Sequence, residues 1–339
     1  MGVGSRQTLT AALPPGQFHC LLDELPLHLI PRPQLESRCA HDSAQLVFNP
    51  QCSVLFSGQL PAELEPHRGL LENFHLQGTI AWVRDPATSA VLPFWLGPRL
   101  EAAVSRLRTG KAGHGEAGTG EAVPSSLSAD VRALLASAGI LTSPNHAERR
   151  VAEWAEVVGK SSKEFREKGY VPLGNLIHPF HLAALRRYYR HAIRKGTIRL
   201  GDEQSLRRYV AHNESVARFF HYQLASAVSA IVGEAIKPSY VYLASYLSGA
   251  ELKKHTDREQ CEFSVTLCLD FSPEPELVSS WPIRLDTGKG TVTVYQALGD
   301  GLVYRGTKVP HYRHVLAEGH TSTSIFFHYV PADFSGPLN

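Results

Sequence analysis

Between residues 236 and 331 the chain runs through short β-branched and aromatic segments: PSYVYLASYLSG, EFSVTLCLDF, SWPIRLDT, GTVTVYQAL, DGLVYRG, VPHYRHVL and TSTSIFFHYV. The breaks between them include SPEPE, GKG, GD, RGTK and AEG, which are turn-forming. Many short strands at such spacing fold as an all-β sandwich or barrel. A barrel with an open mouth can hold a metal between its sheets.

Within this run, His255-Thr256-Asp257 precedes the strand EFSVTLCLDF, and His311 lies in VPHYRHVL. Two imidazoles and one carboxylate are the set that holds ferrous iron on one face and leaves the other open. A His-x-acid pair needs extended chain to chelate, because i and i+2 share a face in a strand. In a helix they point about 200° apart. His146–Glu148 and His212–Glu214 lie in or beside helical segments, and His114–Glu116 lies in a Gly-rich stretch. His255 and Asp257 are therefore the pair that can share a metal. His314, His320 and His328 compete with His311 for the distal position.

Residues 236–331 resemble the iron(II)- and 2-oxoglutarate-dependent dioxygenases of the double-stranded β-helix fold. The matching residues are Tyr246 and Gly249, His255-Thr256-Asp257, the Gly299-Asp300-Gly301 turn, the segment Pro310–Arg313 and the final strand Ser324–Val330. The resemblance implies Fe(II) held by His255, Asp257 and His311, with 2-oxoglutarate as co-substrate and O2 as oxidant. It also implies a hydroxylase or desaturase type, because relatives that halogenate lack the carboxylate. Many members carry a Gly eight residues after the distal His and a co-substrate-binding Arg at about the tenth. Gly319 matches the first position, but Thr321 stands at the second, and no Arg or Lys follows His314. Arg313 and Arg305 are the favoured replacements, since a guanidinium fork fits a carboxylate. Arg284 is a further base, and Thr321, Ser322 and His320 are hydrogen-bond donors. Tyr246, which shares a strand face with Tyr240 and Tyr242, is a candidate contact.

The fold class expected is α+β: a carboxy-terminal double-stranded β-helix (jelly-roll, cupin-like) with packed helices, plus a smaller amino-terminal α+β module. The module spans 1–143, with a flexible loop at about 109–127. The catalytic domain spans 144–339, with helical support over 145–235 and the barrel over 236–331. In the module, AVLPFWLGPRLEAAVSRLRTG reads as the start of a helix, and SLSADVRALLASAGILTSP as a helix with a Ser/Asp start and a Gly-Ile-Leu stop. That ending resembles the small winged-helix modules that hold leader peptides in peptide-modifying enzymes. The alternative is a structural or dimerisation module.

A formal charge of +2 over 339 residues points to neither nucleic acid nor a membrane surface. No run approaches the length of an apolar span, and the start lacks a secretory pattern. Five cysteines, an odd number without CxxC, fit a reducing compartment and a cytoplasmic location. The cluster Arg186–Arg190 is the one basic and aromatic patch; it reads as a nucleic-acid or acidic-ligand surface, or as a solvated helix face. The leading expectation is an oxygenase of a small molecule or a peptide-linked residue. The alternatives are an oxygenase of a protein or RNA partner recruited by the module, and a jelly-roll binding protein without turnover.

Overall fold

The computed structural model describes residues 16–24, 46–109 and 127–338, so the expected loop at 109–127 falls almost wholly outside the described residues. The amino-terminal elements are β1 (Val47–Phe48), β2 (Cys52–Leu55), β3 (Thr79–Arg84), β4 (Val91–Leu96), α1 (Pro98–Thr109), α2 (Ala129–Ser137) and β5 (Leu141–Thr142). Strands β2, β3 and β4 form an antiparallel sheet, and β1 pairs with β5. The helix expected from Ala90 onward begins only at Pro98. The segment VLPFWL before it is strand β4, where Val, Phe and Trp favour a pleated, packed surface. Helix α2 starts as expected: the Ser128 hydroxyl accepts from the Val131 N–H. It stops at Gly139, whose φ of 71° favours a residue without Cβ.

The middle of the chain contributes α3 (His146–Lys168), β6 (Tyr170–Leu173), α4 (Pro179–Arg194), β7 (Arg199–Leu200), β8 (Arg208–His212) and α5 (Ser215–Val232). The mainly helical expectation here misses the β7–β8 hairpin. The remaining strands are β9 (Ile236–Tyr246), β10 (Leu252–His255), β11 (Phe263–Ser272), β12 (Ile283–Thr287), β13 (Gly290–Val294), β14 (Gly301–Arg305), β15 (His311–Arg313) and β16 (Thr321–Pro331).

Two antiparallel sheets build the barrel. The larger has the order β6-β14-β11-β16-β9-β8-β7, and the smaller β10-β15-β12-β13. From β9 onward the chain passes back and forth between the two sheets, except at the β12–β13 hairpin, which is the winding of a double-stranded β-helix. The period of two then sorts each strand into an inner and an outer face. On β11, Phe263, Val265 and Leu267 pack outward in the same core as Ile325 and Phe327 of β16. Ser264, Thr266 and Cys268 alternate with them and point between the sheets.

The outer core is continuous with the amino-terminal elements. The ring of Phe18 lies 5.8 Å from that of Phe220 on α5, and Phe74 lies 4.9 Å from Phe219. The buried His181 ring on α4 is 2.8 Å from the Pro93 carbonyl on β4. The basic and aromatic cluster on α4 is used inside the protein. Arg186 and Arg190 pair with Asp270, Arg187 donates to the His19 carbonyl, and Tyr188 and Tyr189 donate to Glu214.

Candidate metal centre

Strands β10 and β15 lie side by side with His255 opposite His311. Between Leu252 and His255 the ladder slips by one residue against Arg313 and His311. Such a bulge re-aims the side chain that follows it, and here that side chain is His255. Beyond the strand the chain stays extended long enough for the Asp257 N–H to donate to the Gly306 carbonyl at 2.8 Å. The pairing that puts His255 and Asp257 together is therefore a strand end plus this anchor, rather than an uninterrupted strand.

The three side chains converge. His255 Nε2 lies 3.7 Å and His311 Nε2 3.6 Å from Asp257 Oδ1, and the two rings are 4.4 Å apart. Each imidazole is tied at its other nitrogen. His255 Nδ1–H donates to the Lys253 carbonyl at 2.7 Å, and His311 Nδ1–H to the Val309 carbonyl at 3.0 Å. That tautomer leaves both Nε2 lone pairs facing the carboxylate, as a metal requires. Burial pushes the His311 pKa below the ordinary histidine value, opposed by the nearby Asp257. Its neutral, ligating form is the resting form at neutral pH.

Asp257 is held at its second oxygen. The Ser264 hydroxyl donates to Asp257 Oδ2 at 2.8 Å. With its one proton committed there, Ser264 accepts from His328 Nδ1–H at 2.9 Å. Burial lowers His328 to about 4, so this ring is neutral and serves Ser264. A second trio, Asp257, Cys261 and His328, also lies within ligand spacing. Its thiol is pushed up to about 12 by burial and stays protonated, which makes it a poor ligand. Ser264→Ala is expected to weaken Fe(II) binding about 10–100-fold, the usual effect of losing a hydrogen bond to a ligand. Anaerobic Fe(II) titration of the variant measures it, and unchanged affinity would remove Ser264 from the account.

Gly306 faces this carboxylate. A Cβ there would sit inside van der Waals contact of Asp257 Oδ2, Ser264 Oγ and the Cys261 carbonyl. Gly306→Ala is expected to cost about 1–3 kcal/mol of stability, as overpacking does. It should also cut metal affinity more than any other glycine change in the barrel, read by thermal unfolding and Fe(II) titration together.

The remaining candidates separate by face. Arg313 shares the inward parity of His311, is 5% exposed, and stacks over Trp281 at 4.9 Å. It donates to the Trp281 carbonyl and to Gln296 Oε1, and its Nε has no acceptor. No carboxylate among the described residues pairs with it. Arg305 is corrected: it lies on the outer face, paired with Glu262 at 2.9 Å and Glu234 at 3.2 Å, over the Phe165 and Phe263 rings. Thr321 is corrected too. Phe326 and His328 of β16 line the chamber, so the period of two turns Thr321 outward. Arg284 lies opposite Tyr312 while Leu285 lies opposite His311, which places Arg284 on the outer face of the smaller sheet. His314 is exposed, and the ring of His320 rests against Phe271.

Tyr246 is buried against Trp281 at 5.0 Å and accepts from Arg208 Nη1 at 3.2 Å. Tyr240, Tyr242 and Tyr246 line one chamber with the triad, as their shared strand face predicts. The chamber holds about 930 Å³. Arg208 and Asp202, also on its wall, come from the missed hairpin. In the run RRYVAH (207–212) the β-favouring signal is limited to Tyr209 and Val210. Ser264 was missed by the sequence reading; its signal is that it alternates, small and polar, with Phe263, Val265 and Leu267.

No protein-family model matches the chain, and no curated protein sequence does. Solved structures with a similar fold were found. A prolyl-4-hydroxylase from Pseudomonas putida is 14% identical, with 52% of this chain and 100% of that chain covered at a TM-score of 0.42. HygX from Streptomyces hygroscopicus, with nickel, 2-oxoglutarate and hygromycin B bound, is 12% identical over 52% and 88%, at 0.41. The epimerase SnoN, in complex with Fe3+, alpha-ketoglutarate and nogalamycin RO, is 12% identical over 52% and 85%, at 0.44. Each of these is similar to the chain over about half of its length.

Proposed function

We propose that the chain is an iron(II)- and 2-oxoglutarate-dependent oxygenase that hydroxylates or desaturates an unactivated carbon of a small molecule or peptide-linked residue. The observation that carries this reading is the convergence of two tautomer-fixed Nε2 atoms on Asp257 Oδ1. This donor set fits ferrous iron, with His255, Asp257 and His311 as its ligands. Bound iron supplies the oxidising chemistry, with O2 and 2-oxoglutarate as co-reactants. Arg313 holds the far carboxylate of 2-oxoglutarate, because it is a buried guanidinium that lacks an acidic partner among the described residues. Tyr304 and Phe326 wall the chamber and keep water from the reacting carbon. A space of about 930 Å³ suits a small molecule or one inserted side chain. The continuous core between the amino-terminal elements and α5 supports a structural role for that module. No helix among the described residues is long and apolar enough to cross a membrane.

The test is anaerobic addition of Fe(II), then 2-oxoglutarate, to the metal-free protein. A visible charge-transfer band is expected. Iron binding without a band would replace 2-oxoglutarate with another co-substrate, and no iron binding would leave a jelly-roll binding protein.

A further inference from the structure

Arg208 stands on β8 directly opposite Tyr246, so it projects over the same chamber as the triad. Its side chain is only 4% exposed. The guanidinium lies 5.8 Å from the Tyr242 ring centre and 5.6 Å from that of Tyr246. Such a group needs an anion, because an unpaired buried cation is costly. The anion present is Asp202, whose Oδ2 accepts from Arg208 Nε at 3.0 Å, from Nη2, and from the Tyr242 hydroxyl. Gln204 Oε1 accepts a further N–H at 2.7 Å.

The two halves of this contact differ in their setting. Arg208, Tyr242 and Tyr246 belong to adjacent strands of the seven-stranded sheet. Asp202 and Gln204 belong to the short turn joining β7 to β8, where Gly201 has a φ of 80°. On the same stretch, Leu200 is 53% and Leu206 82% exposed, and both line the chamber mouth. Large apolar side chains left in water at a cavity entrance are contact surface for something that enters it.

We infer that Arg208 selects a substrate bearing a carboxylate, which replaces Asp202 between Arg208 and Tyr242 while its apolar body meets the tyrosines and the two exposed leucines. This deepens the oxygenase reading and rests on it for the word substrate. Arg208 is a specificity-determining residue. It is distinct from Arg313, which lies on β15 and donates to the Trp281 carbonyl and Gln296.

The test uses the full chain and a matched pair of probes, hydrocinnamate and its neutral amide, with binding measured by calorimetry. The parent is expected to prefer the carboxylate about tenfold, the scale of one charge-assisted contact. Asp202→Asn removes the internal anion and keeps its shape. It should tighten hydrocinnamate about tenfold and leave the amide within twofold. Arg208→Gln should erase the preference, and if that variant does not fold, Asp202→Asn decides alone. Unchanged hydrocinnamate affinity in Asp202→Asn, or no binding of either probe, would overturn the inference and make the pair a fold clamp. The Fe(II)–2-oxoglutarate band is recorded on the same samples. A preference without a band sinks the oxygenase reading only, whereas a band without a preference sinks the carboxylate inference only.

Discussion

Replacing His311 with alanine is expected to abolish tight Fe(II) binding, and His255→Ala to do the same. The loss should exceed about 100-fold, because losing a mere hydrogen-bond partner of a ligand already costs 10–100-fold. The two effects should match, since each ring supplies one Nε2 at nearly the same distance from Asp257 Oδ1. His314→Ala is the control: that ring is exposed and its backbone carbonyl accepts from Trp281 Nε1. Its iron affinity should stay within twofold of the parent. Anaerobic Fe(II) titration, with metal content measured after desalting, reads all three. Iron retained by His311→Ala within tenfold of the parent would dissolve the metal centre as described.

Arg313→Met should move two quantities in opposite directions. Affinity for 2-oxoglutarate should fall at least about 30-fold, which is roughly 2 kcal/mol, the lower end for breaking a buried charge pair. Stability of the ligand-free protein should rise by roughly 1–2 kcal/mol, because a buried guanidinium without a counter-charge is removed. Burial already pushes the Arg313 pKa below the ordinary arginine value, the same desolvation cost in another form. The Trp281 carbonyl and Gln296 lose a donor in the variant, which keeps the gain small. A purely structural arginine gives the reverse pattern: lower stability and unchanged co-substrate binding. Thermal unfolding without ligand and a 2-oxoglutarate titration with Fe(II) present separate the two. Arg305→Met, which breaks only outer-face pairs with Glu234 and Glu262, should leave 2-oxoglutarate binding within twofold.

The readings that held are those that depend on local chemistry. Turn residues bounded the strands from Ile236 to Pro331, and the Gly-Ile-Leu stop closed α2, where Gly139 is left-handed. The readings that missed depend on partners distant in sequence. VLPFWL is equally apolar as helix or strand, and becomes β4 because β3 lies beside it. The β7–β8 hairpin is short and polar, and becomes sheet because β9 offers it an edge.

The same division runs through the site. The convergence of His255, Asp257 and His311 was legible because chelation demands particular residue types, and types are visible in a sequence. The deep position of Arg313 was half legible, since parity with His311 turns it inward. Parity alone could not tell whether the Arg305 partners were acids on the outer face or a ligand within. Thr321 was placed by counting from His311, but a count carries no face. Only the pairing of β16 with β9 and β11 decides that Ser322 and Ser324 look inward and Thr321 does not. The sequence by itself determined which atoms can bind a metal and where strands end, because both are set by covalent structure and neighbouring residues. The tertiary structure alone decided which charges lack a partner and which loop carboxylate reaches into the chamber, because desolvation and pairing depend on what folds against them.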